Sequence, residues 1–121
     1  MRHLLAVLAA TIGLALGLAA CAPATGTIEV TTDTVLIDVR TPAEFATGHL
    51  DGAINIDVQA ADFEDRVAQL DPTGDYVVYC RSGNRSEQAI TRMESLGFTE
   101  LVNGGSVASA SASTGIAVVT P

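Results

Sequence analysis

The feature that most constrains the fold of this chain is a pair of short apolar runs, each followed by a helix signal. The runs, Val35–Val39 and Tyr76–Tyr79, are rich in β-branched and aromatic residues and are interrupted only by Asp38. Nearly continuous apolar strands are typical of parallel sheets that are covered on both faces. Strands that alternate with helices over short connections therefore predict a single α/β domain with a mostly parallel sheet.

The first helix signal is a capping box. Thr41 stands at the N-cap, Pro42 at the first helical position and Glu44 three residues after the cap. This order satisfies the free N–H groups at a helix start and favours a short helix through about Ala46. After a glycine-bracketed turn, Ala53–Ile56 is predicted to form the next strand.

The remaining elements follow from apolar periodicity. Phe63, Val67 and Leu70 recur at the spacing of one helix face. The predicted elements are a helix from about Ala60 to Leu70, a helix from about Ser86 to Leu96 that Gly97 ends, and a strand over Thr99–Asn103. Ser106–Ser113 alternates Ser with Ala or Val and fits a weak helix, a loop or a frayed end equally well.

The N-terminus has the parts of an export signal. Arg2 gives a positive start, Leu4–Leu18 is apolar and uncharged, and small residues precede Cys21. The apolar run is shorter than the roughly 20 residues of a membrane span. Because Leu18-Ala19-Ala20-Cys21 resembles a bacterial lipobox, residues 1–20 are predicted to be a lipoprotein signal peptide and Cys21 the lipidated N-terminus. An ordinary secretory signal that ends at a cysteine is the alternative.

This interpretation divides the chain and places it in the cell. Residues 21–27 form the lipidated N-terminus and linker, and residues 28–121 form the domain. The domain is expected on the extracytoplasmic face of a bacterial membrane, held by its N-terminal lipid alone. With Cys21 lipidated, Cys80 has no disulfide partner, so it is either buried and inert or used chemically.

Composition limits the partners. The chain has 121 residues, 48% of them hydrophobic, which suits one folded domain. Fourteen acidic residues oppose six basic ones, for a formal net charge of −8. Such a surface repels phosphate backbones, so nucleic-acid binding is excluded.

Cys80 lies at a position where a binding or catalytic site is expected. It lies between a buried strand and a helix, at the sheet edge where ligands of open parallel sheets bind. A tight loop there turns backbone N–H groups inward, and the helix start adds positive charge, so the loop favours an anion. With Arg81 and Arg85 nearby, the pKa of the thiol should fall below its usual value of about 8.5. Gly83 and Asn84 tolerate the positive φ that curling the loop requires.

Three alternatives compete with a reactive thiol. Cys80 could be a buried structural residue followed by a helix that Ser86 caps, although an inert thiol has no need of flanking arginines. A metal site would need more ligands than Cys80 and His49, so no metal and no cofactor are expected. A cysteine phosphatase or arsenate reductase places five residues between Cys and Arg, whereas four separate Cys80 from Arg85.

Several motifs together resemble a known family, the single-domain rhodaneses, over about Thr34 to Gly105. The residues that carry the resemblance are Leu36–Phe45, Gly48-His49-Leu50, Gly52–Ile56, Cys80–Ser86 and Gly104-Gly105. The resemblance implies a sheet of about five mostly parallel strands with helices on both faces. It also implies sulfurtransferase activity in which Cys80 becomes a persulfide.

The residues of the site take roles under this resemblance. Cys80 is the catalytic nucleophile, and the loop residues that follow it bind the substrate: Arg81, Ser82, Gly83, Asn84, Arg85 and Ser86. Four residues near the ends of neighbouring elements are expected to support the loop: Asp38, Arg40, Glu44 and His49. The expected partners are a small sulfur-donor anion such as thiosulfate and a thiol or cyanide acceptor, with the protein a monomer.

The chain departs from the family after Gly104-Gly105. A Trp is common there, and the aligned position holds about Ser109 in a chain that has no Trp. A different class of function therefore stays open, namely a non-catalytic rhodanese-like module that binds a partner or senses oxidants through Cys80.

Overall fold

The structure, a computed structural model, describes residues 26–121. The predicted signal peptide and the predicted lipidation site at Cys21 lie outside the described residues. Within residues 26–121, no helix is long and apolar enough to cross a membrane.

The described chain alternates strands and helices, as the two apolar runs predict. The elements are β1 (Thr34–Asp38), α1 (Pro42–Thr47), β2 (His49–Leu50), β3 (Ile54–Asn55), α2 (Phe63–Val67), β4 (Asp75–Cys80), α3 (Asn84–Ser95), β5 (Glu100–Ser106), α4 (Val107–Thr114) and β6 (Val118–Val119).

The main sheet is entirely parallel, with strand order β3-β1-β4-β5. The α/β fold class is confirmed, but within residues 26–121 the main sheet has four strands rather than the expected five. Residues 26–33 form no ladder with this sheet; instead, the Ile28 N–H donates to the Ser113 carbonyl of α4 at 2.9 Å. β6 pairs antiparallel with β2 in a separate two-stranded sheet.

Both faces of the main sheet are covered, as expected. Because side chains alternate along a strand, Tyr76, Val78 and Cys80 of β4 join one buried cluster, and Val77 and Tyr79 join another. The first cluster includes Phe63 of α2 with Ala89 and Met93 of α3, and we call this side the α3 face. The second includes Ala110 of α4, and we call this side the α4 face.

The capping box at α1 is confirmed in full. The Thr41 hydroxyl accepts from the Glu44 N–H at 3.3 Å, and the Glu44 carboxylate accepts from the Thr41 N–H at 3.4 Å. α2 is shorter than predicted, covering only Phe63–Val67, and both of these residues are buried. After the end of α2, the Leu70 N–H donates to the Val67 carbonyl, only three residues back. Tight turns therefore replace the helix over residues 68–70.

Two boundaries near the loop differ from the prediction. α3 begins at Asn84 rather than Ser86, because Gly83 takes the left-handed conformation, with φ of 94°, and stands at the N-cap. Ser86 is therefore not the cap that the structural alternative required. β5 continues past Asn103 to Ser106.

The ambiguous tail is a helix. α4 covers Val107–Thr114, its N-cap Ser106 accepts from the Ser109 N–H at 3.0 Å, and Gly115 ends it with a positive φ. Ser109, at the position where the related family often has Trp, lines a cleft of about 220 Å³ beside Asn103 and Gly105.

Candidate active site

Cys80 is the last residue of β4, at the carboxyl edge of the parallel sheet, and its side chain is 0% exposed. The chain then curls over the sulfur. The Gly83 N–H donates to Cys80 Sγ at 2.9 Å, and the Ser86 hydroxyl oxygen lies 3.5 Å from Sγ. The sulfur therefore sits inside a loop of hydrogen-bond donors, which we call the Cys80 loop (residues 80–86).

The surroundings of the thiol favour its anion. Burial by itself raises the pKa of Cys80, but hydrogen bonds from the Ser86 hydroxyl and from the backbone N–H groups of Ser86, Ser82 and Gly83 outweigh it. The net pKa of Cys80 lies below its ordinary value. Preorganised donors around a buried atom stabilise negative charge strongly because they need no reorganisation. The chief causes are hydrogen bonds of the loop, whereas the sequence argument had relied partly on the two arginine charges.

The two arginines of the loop differ. Arg85 Nη1 and Nη2 donate to Glu44 Oε1 and Oε2 at 2.7 and 2.9 Å, a bidentate pair that ties the loop to α1. This pair, aided by hydrogen bonds from Thr41, lowers the pKa of Glu44 to about 2 despite its partial burial. Arg81 is exposed instead and lines a cleft of about 400 Å³ with Arg40, Ala43, Glu44 and Thr47.

The predicted supporting residues are placed less uniformly than expected. Glu44 holds the loop through Arg85. Asp38 and Arg40 form a buried ion pair in which Arg40 Nη2 donates to Asp38 Oδ2 and to the Gly48 carbonyl, each at 2.6 Å. This pair fixes the connection between β1 and β2, and Arg40 also borders the Arg81 cleft.

His49 lies in β2, where its ring stacks on Phe45 with centroids 3.6 Å apart, and its Nδ1 lies 2.9 Å from the Phe45 carbonyl oxygen. These contacts are with α1 rather than with the loop. The other predicted substrate-binding residues, Ser82 and Asn84, are exposed, and Asn84 opens α3.

Sequence reasoning missed Asn103, which lies on β5 and bonds to the Cys80 loop. Its Oδ1 accepts from the Ser86 hydroxyl at 2.7 Å and from the Gly105 N–H at 2.9 Å, and its Nδ2 donates to the Gly83 carbonyl at 3.1 Å. The available signal was a polar amide directly before Gly104-Gly105, near the carboxyl end of the strand beside β4. No group of three or more His, Cys, Asp or Glu residues that could hold a metal occurs within residues 26–121.

Comparisons with known proteins identify the family of this chain. The sequence model of the rhodanese-like domain matches residues 27–111, and the chain belongs to this family. It is 36% identical over 80 residues to a sulfurtransferase of Allochromatium vinosum, covering 64% of this chain and 73% of that protein. It is 35% identical over 69 residues to the thiosulfate sulfurtransferase PspE of Escherichia coli, covering 57% and 66%.

Some relatives are much longer proteins. The match to the probable adenylyltransferase/sulfurtransferase MoeZ of Mycobacterium tuberculosis is 38% identical over 75 residues, which is 60% of this chain but 19% of that protein. Among solved structures, a rhodanese with anions from E. coli superposes with a TM-score of 0.61 at 28% identity, covering 73% of this chain and 99% of that one. The fold and the family thus agree.

Proposed function

We propose that this protein is a sulfurtransferase that moves a sulfane sulfur from a donor such as thiosulfate to a thiol or cyanide acceptor through a Cys80 persulfide. The observation that carries the proposal is the Gly83 N–H aimed at Cys80 Sγ at 2.9 Å, within a loop that lowers the pKa of the thiol. A nucleophile whose pKa is already lowered needs no separate general base.

The first half-reaction loads the cysteine. The Cys80 thiolate attacks the outer sulfur of thiosulfate, a bond forms between Sγ and that sulfur, and the S–S bond of thiosulfate breaks. Sulfite leaves with the bonding electron pair, and Cys80 keeps a terminal sulfur with one negative charge. The step needs no oxidant, reductant or other reagent. The donors of the Cys80 loop then face the charged terminal sulfur.

The second half-reaction removes the terminal sulfur from the Cys80 persulfide. An acceptor thiolate or cyanide attacks the terminal sulfur, and the Cys80 thiolate leaves with the bonding pair, which restores the resting enzyme. A covalent intermediate that passes between two substrates in this way gives a double-displacement pattern.

The dimensions of the loop support one transferred atom rather than a phosphate group. Cys80 is 0% exposed, so the loop encloses its sulfur closely. The loop has one residue fewer between Cys and Arg than the cysteine phosphatases, and one residue adds up to roughly 3.5 Å of chain.

We assign the binding of the anionic sulfur donor to Arg81. Arg85 is already neutralised by Glu44 and Arg40 by Asp38, whereas the exposed Arg81 borders the cleft beside the loop. Its positive charge would offset the repulsion that a donor anion meets from a protein of net charge −8.

The test is sulfur transfer by the full chain purified in detergent. Thiosulfate and cyanide should yield thiocyanate, and thiosulfate alone should add the mass of one sulfur atom that a reductant removes. Cys80→Ser should abolish both results, while Ser95→Ala, a matched change at the exposed end of α3, should abolish neither. Equal thiocyanate formation by Cys80→Ser would overturn the proposal. Sulfenylation of Cys80 with no transfer to any acceptor would assign the redox-sensing role instead.

We also propose that the protein is lipid-anchored on the extracytoplasmic face of a bacterial membrane. The lipobox-like sequence before Cys21 supports this location. In a bacterial host, Cys21→Ala should move the protein from the detergent-extracted membrane fraction to the soluble fraction or block its processing. Unchanged membrane association and processing would contradict the anchor.

A further inference from the structure

The hydrogen bonds around Ser86 leave its hydroxyl proton a choice of acceptor. Three acceptors lie near Ser86 Oγ: Asn103 Oδ1 at 2.7 Å, the Gly83 carbonyl at 2.9 Å and Cys80 Sγ at 3.5 Å. A hydroxyl has one proton to donate. Which acceptor receives it therefore decides how much negative charge the sulfur can hold.

The two oxygen acceptors of the Ser86 hydroxyl, the Gly83 carbonyl and Asn103 Oδ1, each have other hydrogen-bond donors. The Gly83 carbonyl also accepts from Asn103 Nδ2 at 3.1 Å and from the Glu87 N–H at 3.1 Å, and Asn103 Oδ1 also accepts from the Gly105 N–H at 2.9 Å. Both oxygens thus keep a donor if the Ser86 proton turns away from them. Asn103 is exposed whereas Ser86 is buried, so the hydroxyl can turn to the sulfur without leaving a buried acceptor unpaired.

The orientation of the Asn103 amide is set by its neighbours. The Gly105 N–H can only donate and the Gly83 carbonyl can only accept, so Oδ1 faces the first and Nδ2 faces the second. Ser86 is 0% exposed, so water does not compete for its hydroxyl.

We propose that Asn103 is a positioning residue that holds the Ser86 hydroxyl beside Cys80 and lets its proton turn to the sulfur when the sulfur is charged. In the resting thiol, the Ser86 hydroxyl donates to Asn103 Oδ1. In the thiolate and the persulfide, it turns to the sulfur, while Gly83 and Asn103 keep their other donors. The usefulness of this arrangement rests on the proposed sulfur transfer, but its existence does not.

The charged groups around the Cys80 loop do not take part in the hydrogen bonds between Asn103, Ser86 and Cys80. Arg81 and Arg85 lie within the loop, Glu44 of α1 pairs with Arg85, and Asp57 lies close enough to Arg85 to affect its pKa. The three side-chain hydrogen bonds of Asn103 go to Ser86, Gly83 and Gly105, all uncharged. Changes at Asn103 to an uncharged residue therefore leave the charges of the site in place.

The experiment measures the pKa of Cys80 from the ultraviolet absorbance of its thiolate across pH in the full chain. The spectrum of Cys80→Ser is subtracted to remove the contribution of Cys21. Asn103→Ala should raise the pKa of Cys80 by about 0.5 to 1 unit, because the Ser86 hydroxyl loses its support. Asn103→Asp, which keeps the shape but traps the proton and adds negative charge, should raise it further. Gln88→Ala, at an exposed amide on α3, is the matched control.

A double-mutant cycle shows whether Asn103 affects the pKa of Cys80 through the Ser86 hydroxyl or through a general change of structure. In a Ser86→Ala background, Asn103→Ala should cause no further shift, since the proton it positions is gone. An unchanged pKa in Asn103→Ala, or an equal shift with and without Ser86, would overturn the proposal. If Asn103→Ala does not fold, the uncharged variant Asn103→Ser takes its place in the same cycle, because it too leaves the charges of the site unchanged. Because the pKa is measured without a sulfur donor, a failure here is distinguishable from a failure of sulfur transfer.

Discussion

The two faces of the main sheet are covered by helices of different composition. The α3 face buries large side chains such as Phe63 and Met93, whereas the α4 face meets the sheet through Ala110 beside Gly104. A Cβ added at Gly104 would lie 3.1 Å from Ala110 Cβ and 3.1 Å from Val77 Cγ1. The helices therefore contribute differently: α2 and α3 bury large side chains, whereas α4 approaches the sheet closely through Ala110, and the large buried side chains of its face, such as Tyr79, come from the strands. Cys80 belongs to the cluster on the α3 face.

The largest expected effect lies on the α3 face. Phe63 is fully buried, and the Arg92 guanidinium lies over its ring at 4.5 Å. Phe63→Ala should lower the free energy of unfolding by about 3 to 5 kcal/mol, since it removes buried area and leaves a cavity. Urea denaturation followed by circular dichroism measures this loss. Ala110→Gly on the α4 face should cost only about 1 kcal/mol, and equal losses would break the comparison.

The next effect tests close approach on the α4 face. Gly104→Ala should lower the free energy of unfolding by about 1 to 3 kcal/mol, because the added methyl group overpacks the contact with Ala110. Gly26→Ala is the matched control, since a Cβ there meets nothing within 4 Å. Urea midpoints of the two variants give the comparison. If Gly104→Ala is as stable as the control, the α4 face is loosely packed.

The smallest effect concerns the ion pair that ties the Cys80 loop to α1. The pKa of Glu44 is lowered to about 2, so its contribution to stability is present above the unfolded value near 4.5 and is lost as pH falls toward 2. Glu44→Gln should cost about 1 kcal/mol at pH 7, after allowance for partial exposure, and progressively less as pH falls from 4.5 through about 2. Urea denaturation at several pH values checks this. Glu64→Gln, in the more exposed pair with Arg92, should show a weaker pH dependence.

Features with local partners could be predicted from the sequence. The α1 capping box was complete because Thr41 and Glu44 stand three residues apart, and the apolar runs gave β1 and β4 because they are buried on both faces. The start of α3 was missed because it depends on the φ of Gly83, which residue type permits but does not require. The length of α2 was overestimated because periodicity records burial, not backbone hydrogen bonds.

Features with distant partners could not be predicted. Arg85 is 41 residues from Glu44, and Asn103 is 17 residues from Ser86, so no spacing rule connects them. Asp38 and Cys80 end neighbouring strands at one edge of the sheet, as expected, because the carboxyl ends of parallel strands meet there. Which polar residues at this edge bond to each other depends on packing that only the folded chain sets.

Glu44 connects the start of α1 to the Cys80 loop. One of its oxygens, Oε1, accepts from the Thr41 hydroxyl at 3.1 Å and from Arg85 at 2.7 Å, so the start of a helix and the end of the Cys80 loop share one atom. A shorter Asp at this position could not reach both partners. Positions 41, 44 and 85 are therefore expected to change together when sequences of this kind diverge, so that a substitution at one is tolerated only after a compensating substitution at another.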